Sequence, residues 1–360
     1  SFSFGKIVLL LVCLLSIGIA WILGLVSKGL IEGLETEKMA TRWKKDGGVA
    51  QISCFYSVNT RVTPDSLEEF EHTLDNALEE ASITVTSPNA NARLWADAYS
   101  ATGQVSVKSN LSEITVDAMG IGGDFFLFHP LQLLSGSYFS GNDVMQDYCV
   151  LDQDAAWKLF GSNDVCGQIV YIGNVAHIVT GVVKREESDL YKAAGLDNSL
   201  IYVSYSTLEK YGRSNGINHF EIVMPNPVKG YAKGYIEEAI GVAESEREIV
   251  VNSERFSVLN RIKHINKLSN RAMNGKAIIY PYWENVARAT EDKLAVLMIF
   301  QLIFLLIPSI IVFIVFIVWW KNRKWTLKSL LLKAKDSIER KFSGARTKSK
   351  YKRMRKQREL

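Results

Sequence analysis

The chain has 360 residues with 42 basic and 38 acidic side chains, a formal net charge of +4. That charge is uneven: residues 321–360 hold 16 Lys/Arg against 3 Asp/Glu, a formal +13 that leaves about −9 on the remainder. The basic block follows an apolar segment, so lipid is the expected partner and a nucleic-acid role is set aside.

The first apolar segment, Ile7–Val26, has no charge and meets the roughly 20 residues a helix needs to cross a bilayer core. A signal peptide is the alternative. Its apolar region would be about twice the usual length with no A-x-A-like site behind it, so an uncleaved anchor is expected over residues 1–26. Lys28–Lys45 continues without Pro and carries Leu30, Ile31, Leu34 and Met39 among charges. It reads as one helix carried beyond the membrane and ended by Gly47-Gly48, a stalk over 27–48.

Val49–Val58 is rich in β-branched and aromatic residues and reads as a strand. Thr63-Pro64 starts a helix, with a capping hydroxyl before Pro at the first helical position. Leu67, Phe70, Leu74, Ala77, Leu78 and Ala81 then recur at three and four, one apolar stripe. Strands are expected near 83–86, 93–99 and 114–118, and the glycine cluster Gly120-Ile121-Gly122-Gly123 reads as a loop before the next subdomain. The segment 124–215 has shorter β-like runs and more turns. His219–Met224 reads as a strand broken by Pro225-Asn226-Pro227, 228–242 as a helix, and Glu248–Val251 as a strand. A strand–helix–strand unit thus stands near each end of the central region. The fold class expected is α+β: a ferredoxin-like α/β part built from 49–123 and 216–275, with a mostly-β subdomain, 124–215, inserted into it. Trp283–Lys293 pairs with the first stalk as a second, 276–293, and leads into the uncharged span 294–320.

The middle segment carries the most specific pattern. It reads Leu133-Leu134-Ser135-Gly136-Ser137-Tyr138-Phe139, then Asp143, Val150-Leu151, Ala155, Leu159-Phe160-Gly161, Asp164-Val165 and Gly167. It closes on His177-Ile178-Val179-Thr180-Gly181-Val182-Val183. In physical terms Gly161 ends a short helix with a left-handed cap. Gly173-Asn174 is a hairpin turn between the strands Ile169–Ile172 and Val175–Val183. The ordered set resembles the periplasmic core domain of MacB-type ABC transporter permeases. That resemblance implies an outer domain on a stalk, moved by cytoplasmic ATP hydrolysis and acting as a mechanotransmitter. The family has four membrane spans, three after the outer domain, where one follows here. A reduced subunit working with an ABC ATPase and a multi-span permease is therefore expected.

No G-x-x-x-x-G-K-[ST] or H-E-x-x-H occurs, so an ATPase would be another chain and no enzyme is expected. The histidines His72, His129, His177, His219 and His264 are widely scattered, with no zinc-ligand spacing; no metal or cofactor is expected. Cys149 and Cys166 are close enough in sequence to close a short disulfide loop; free buried thiols are the alternative. In the second span Pro308 removes a hydrogen bond to the Phe304 carbonyl, and Gln301 needs a partner helix or backbone group. Together they read as a helix interface. Trp319-Trp320 are interfacial anchors. In the tail Leu327, Leu331, Ala334, Ile338 and Phe342 recur at helical spacing, suited to docking on the inner leaflet or on an ATPase partner. The basic block makes the tail cytoplasmic, which places both termini inside a bacterial cell membrane and residues 27–293 outside. The expected function is a non-catalytic permease-like or accessory subunit for export of a peptide, lipid or drug. A membrane-tethered binding or sensor module without nucleotide coupling is the alternative.

Overall fold

The computed structural model describes residues 4–85, 92–268 and 277–322, with 335, 337 and 338. The chain divides into two compact units: one made at its two ends, through Ile22 and from Gln301, and one from Leu23 to Phe300. In chain order the elements are α1 (Phe4–Glu32), α2 (Met39–Trp43), β1 (Val49–Tyr56), α3 (Pro64–Glu80), β2 (Ala96–Lys108) and β3 (Glu113–Gly123). Next come α4 (Phe125–Phe128), β4 (Leu133–Gly136), β5 (Tyr148–Asp152), α5 (Gln153–Phe160), β6 (Ile169–Ile172) and β7 (Val175–Val183). Then follow α6 (Asp189–Ala193), β8 (Leu200–Ser204), α7 (Tyr205–Tyr211), β9 (Arg213–Ser214), β10 (His219–Pro225), α8 (Tyr231–Ala239) and β11 (Arg247–Val251). The last are α9 (Asn252–Arg255), α10 (Val258–Ile265) and α11 (Tyr282–Asn322).

Helices α1 and α11 are each long and apolar enough to cross a membrane. Within the end unit their side chains, such as Leu14, Leu15, Phe313 and Val315, stay exposed, as lipid-facing residues must.

The second unit is one mixed sheet in the order β11-β1-β10-β2-β3-β8-β5-β7-β4, with β6 and β9 paired alongside. Strands from the two sequence flanks are neighbours: β1 pairs β10 from Val49 opposite Pro225 to Phe55 opposite His219. The strands from 133–204 adjoin them through the parallel β3–β8 pairing. Strand parity separates two faces. Ala50, Ile52, Cys54 and Tyr56 of β1 and Phe220, Ile222 and Met224 of β10 join the main core. They meet Leu67, Phe70, Leu74 and Leu78, the buried stripe of α3, and Ala232 and Ile236 of α8. Each such large side chain contributes about 1.5–3 kcal/mol by leaving water. The opposite face packs on Met39, Phe125, Phe128 and Trp283.

Local rules account for the helix ends. Thr63 Oγ1 accepts from Ser66 N, with Pro64 at the first turn, as the sequence predicts. Gly161 (φ 70°) caps α5 in the left-handed region, and Gly173 and Asn174 (φ 56° and 65°) turn β6 into β7.

Three expectations change. Residues 83–85, expected to lie in a strand, carry none, because the chain leaves α3 through a turn at Ala81-Ser82. The glycine cluster at 120–123 is not a loop; it lies within β3, which runs on to Gly123. A Cβ at Gly120 would stand 2.8 Å from the Leu208 side chain, and one at Gly122 would enter the Tyr99 ring directly across the ladder. These glycines serve close packing on a strand. The first stalk is not one helix either. α1 ends at Glu32, and Gly33–Glu35 turns the chain into a short 3₁₀ turn at 36–38 and then α2. The break lets Leu34, Met39 and Ala40 bury against the sheet domain, which a straight helix of that composition could not do together.

Candidate functional site

The face of the sheet opposite the main core is not simply apolar. Residues 219 and 221 share it by strand parity, so β10 places His219 and Glu221 side by side on one surface. Register adds partners directly opposite: Ser53 of β1 faces Glu221, and Ser100 of β2 faces His219. Ser53 Oγ donates to Glu221 Oε2 at 3.4 Å, and Ser100 Oγ lies 3.3 Å from His219 Nδ1. The loop after α4 brings in His129, whose Nε2 lies 2.5 Å from Glu221 Oε1. Those two atoms are in close contact without hydrogen-bond alignment. All three residues are 2% exposed or less.

Aromatic rings wall this cluster. His129 packs on Trp283 at 4.2 Å and on Phe125 at 4.3 Å; His219 stacks on Phe55 at 5.0 Å and meets the Trp283 edge at 5.4 Å. Burial pushes His219 down to about 4. Burial pushes the Glu221 carboxyl up, but His129 and its other polar neighbours more than offset this and hold it below its ordinary value.

From Glu221 a polar chain runs to the start of α11. Asn252 Nδ2 donates to Ser53 Oγ at 2.8 Å, and Arg255 Nη1 reaches Asn252 Oδ1 at 3.4 Å. Arg255 then grips Glu284 with two bonds of 2.7 and 2.8 Å and Glu291 with two of 2.8 and 3.4 Å. Glu284 also accepts from Arg288, which bonds Glu248 of β11 and lies over the Tyr280 ring at 3.7 Å. Arg255 is 6% exposed and Glu284 2%. Burial opposes the charge on Arg255, but Glu284 and Glu291 more than offset it and raise its pKa. Removing one partner of such a buried pair costs about 3–5 kcal/mol, because the other charge is left in a dry site. The network therefore holds the first turns of α11 to the edge of the sheet in one geometry.

The α2 side of the same face is tied as well. Arg42 Nη2 donates to the Leu127 and Phe128 carbonyls at 3.0 Å each, and Gln51 Nε2 to the Thr36 carbonyl at 2.7 Å. Glu37, buried here, is pushed up to about 7 by that burial. Elsewhere in this unit a cavity of about 620 Å³ opens between β2/β3, the segment 194–200 and the approach to α11, lined among others by Met119, Leu200, Arg213, Tyr280 and Tyr282.

The residues singled out from sequence lie outside this cluster. Cys149 is buried in β5, while Cys166 is exposed with Sγ 3.3 Å from Ser135 Oγ; the two stand as separate thiols, their side chains on different surroundings. Gln301 Nε2 donates to the Ala20 carbonyl of α1 at 3.1 Å, and α11 runs through Pro308 as one helix. Ile338 is helical and exposed; Leu327, Leu331 and Phe342 lie outside the described residues. Sequence spacing separates the histidines and shows no metal set. The structure corrects that picture: it brings His129, His219 and Glu221 together from two distant segments. The one available signal was a His and a Glu two apart in an otherwise apolar strand, which obliges two polar groups to share a buried face.

A mixed sheet domain bracketed by two helices of membrane-spanning character defines a membrane-anchored α+β protein. The MacB-like periplasmic core domain family matches residues 8–229, and the chain belongs to that family. The macrolide export ATP-binding/permease protein MacB of Chromobacterium violaceum is 28% identical over 137 residues, 38% of this chain and 20% of that protein. Its namesake in Agrobacterium fabrum is 32% identical over 119 residues, 32% of this chain and 18% of that one. The matched part spans about a fifth of the length of these curated relatives. The crystal structure of the periplasmic region of MacB from Actinobacillus actinomycetemcomitans covers 65% of this chain and 97% of that one, at 17% identity and a TM-score of 0.39.

Proposed function

We propose that this chain is a non-catalytic, permease-type subunit of an ABC transport system, whose sheet domain lies outside the membrane and moves with ATP hydrolysis by a partner inside. The observation that carries this reading is the buried clamp of Arg255 on Glu284 and Glu291. It ties the sheet to the root of the helix that becomes a span, so a displacement of α11 must displace the sheet edge or break a buried ion pair. Family membership supplies the transport context. The basic residues after Trp320 support cytoplasmic termini and a docking face for lipid or for the ATPase subunit. The exported material is a peptide, lipid or drug.

The test is purification of the full chain in mild detergent from its native host. An ATP-binding subunit is expected to co-purify, and Arg255→Met is expected to lower ATP-driven export while leaving the assembly intact. An isolated chain whose deletion leaves export and drug resistance unchanged would sink the proposal. The 620 Å³ cavity favours a second reading, a tethered binding or sensor module. Ligand-dependent protection of Tyr280 and Tyr282 without any ATPase partner would select it.

A further inference from the structure

We propose that His129, His219 and Glu221 form a binding site for a divalent transition-metal ion of the zinc type, seated beneath the first turn of α11. One ligand atom from each residue lies within 4.8 Å of the others. Two imidazole nitrogens and one carboxylate oxygen are the donor set of three-ligand zinc sites, in which a water would take the fourth tetrahedral position.

Three observations converge on it. The first is unmet bonding: His129 Nδ1 and Nε2, His219 Nε2 and Glu221 Oε1 are buried and, apart from the close His129–Glu221 contact, have no hydrogen-bond partner among the described residues. Contact between His129 and Glu221 eases two of these atoms and leaves His219 Nε2 without a hydrogen-bond partner among the described residues. An ion shared by all three satisfies His219 Nε2, Glu221 Oε1 and one nitrogen of His129 at once. The second is support from behind. Ser100 holds Nδ1 of His219, which leaves Nε2 as the free donor, and Ser53 holds Oε2 of Glu221, which leaves Oε1. Outer partners of this kind fix the tautomer and aim of metal ligands. The third is rigidity. Two ligands stand on a central strand, and Phe55, Phe125 and Trp283 close the surround.

Coordination at about 2.0–2.2 Å requires His129 Nε2 and Glu221 Oε1 to part by roughly 1 Å, within the reach of side-chain rotation. The ion would pin the loop after α4 to β10, and through His129 and Trp283 would steady the root of α11. The inference stands on ligand geometry alone and holds whether or not the chain works with an ATPase.

The experiment uses the full chain in detergent with Cys166→Ser, so that the exposed thiol does not bind metal. The protein is stripped with a chelator and reloaded with Zn²⁺ alone or Co²⁺ alone. About one zinc per chain by mass spectrometry is expected, with intense four-coordinate Co²⁺ absorption and a raised melting temperature. His129→Phe and His219→Phe keep the ring stacking and remove the donors; each should lose the metal, and exposed His72→Ala should keep it. Binding of less than about a tenth of an equivalent by folded parent protein overturns the proposal. So does full occupancy in His219→Phe. Should the phenylalanine variants not fold, the parent's Co²⁺ spectrum decides: six-coordinate or absent absorption overturns the site.

Discussion

The two faces of β1 and β10 are built on opposite principles. One buries Ile52, Tyr56, Phe220, Ile222 and Met224 against α3 and α8, with stability spread over many non-directional contacts. The other buries Gln51, Ser53, His219 and Glu221 against α2, α4, α9 and the start of α11, where each group depends on a particular partner at a particular distance. Apolar packing tolerates small shifts, whereas a buried ion pair is made or broken. The contrast teaches where a motion can be read out: the apolar face keeps the fold together, and the polar face specifies one position of α11 and resists others.

Four changes separate the two behaviours. The largest effect is expected on the apolar face. Phe220, fully buried and edge-on to Phe70 at 5.6 Å, should lose about 3–5 kcal/mol as Phe220→Ala in denaturant or thermal unfolding. On the polar face, Glu284→Leu removes the carboxylate shared by Arg255 and Arg288 and should cost about 3 kcal/mol. Adding Arg255→Met should recover most of that loss. A double variant as unstable as the single one would mean that the pair matters for its shape and not for its charge.

Asp97 is an exception on the apolar face, set against the α3 side near Glu71. Burial, with Glu71 adding to it, pushes Asp97 from its ordinary 3.8 up to about 8. A carboxyl whose pKa is higher in the folded protein favours folding only while protonated. Its contribution is full below about 4 and is lost as pH rises through about 8. Asp97→Asn should therefore stabilise little at pH 4 and progressively more toward pH 8, followed by melting temperature across that range. The smallest effect is local: Thr63→Ala removes the cap of α3 and should cost about 1 kcal/mol, checked by the same melts.

Much of the architecture was legible. The strands β1 and β10, the stripe of α3, its Thr63-Pro64 start and the Gly161 cap are short-range features, decided by residues a few positions apart. Errors came where distance intervened. Gly120 and Gly122 look like a turn until Leu208 and Tyr99 are brought over them. Gly33 looks incidental until Leu34 and Met39 turn back onto the sheet. The candidate site was the least legible part, because His129, Glu221, Asn252, Arg255 and Glu284 come from separate segments and follow no spacing rule.

By itself, then, the sequence determined the two apolar end segments and the alternation of strands and helices. These follow from local periods of two and of three to four. Only the tertiary structure decided which elements cover each face. Strand pairing set Ser53 opposite Glu221 and Ser100 opposite His219, and packing brought Trp283, Arg255 and Glu284 onto that surface. The physical reason is that desolvated charges and unpaired nitrogens acquire their meaning from what lies within a few ångströms, and that neighbourhood exists only once the chain has folded.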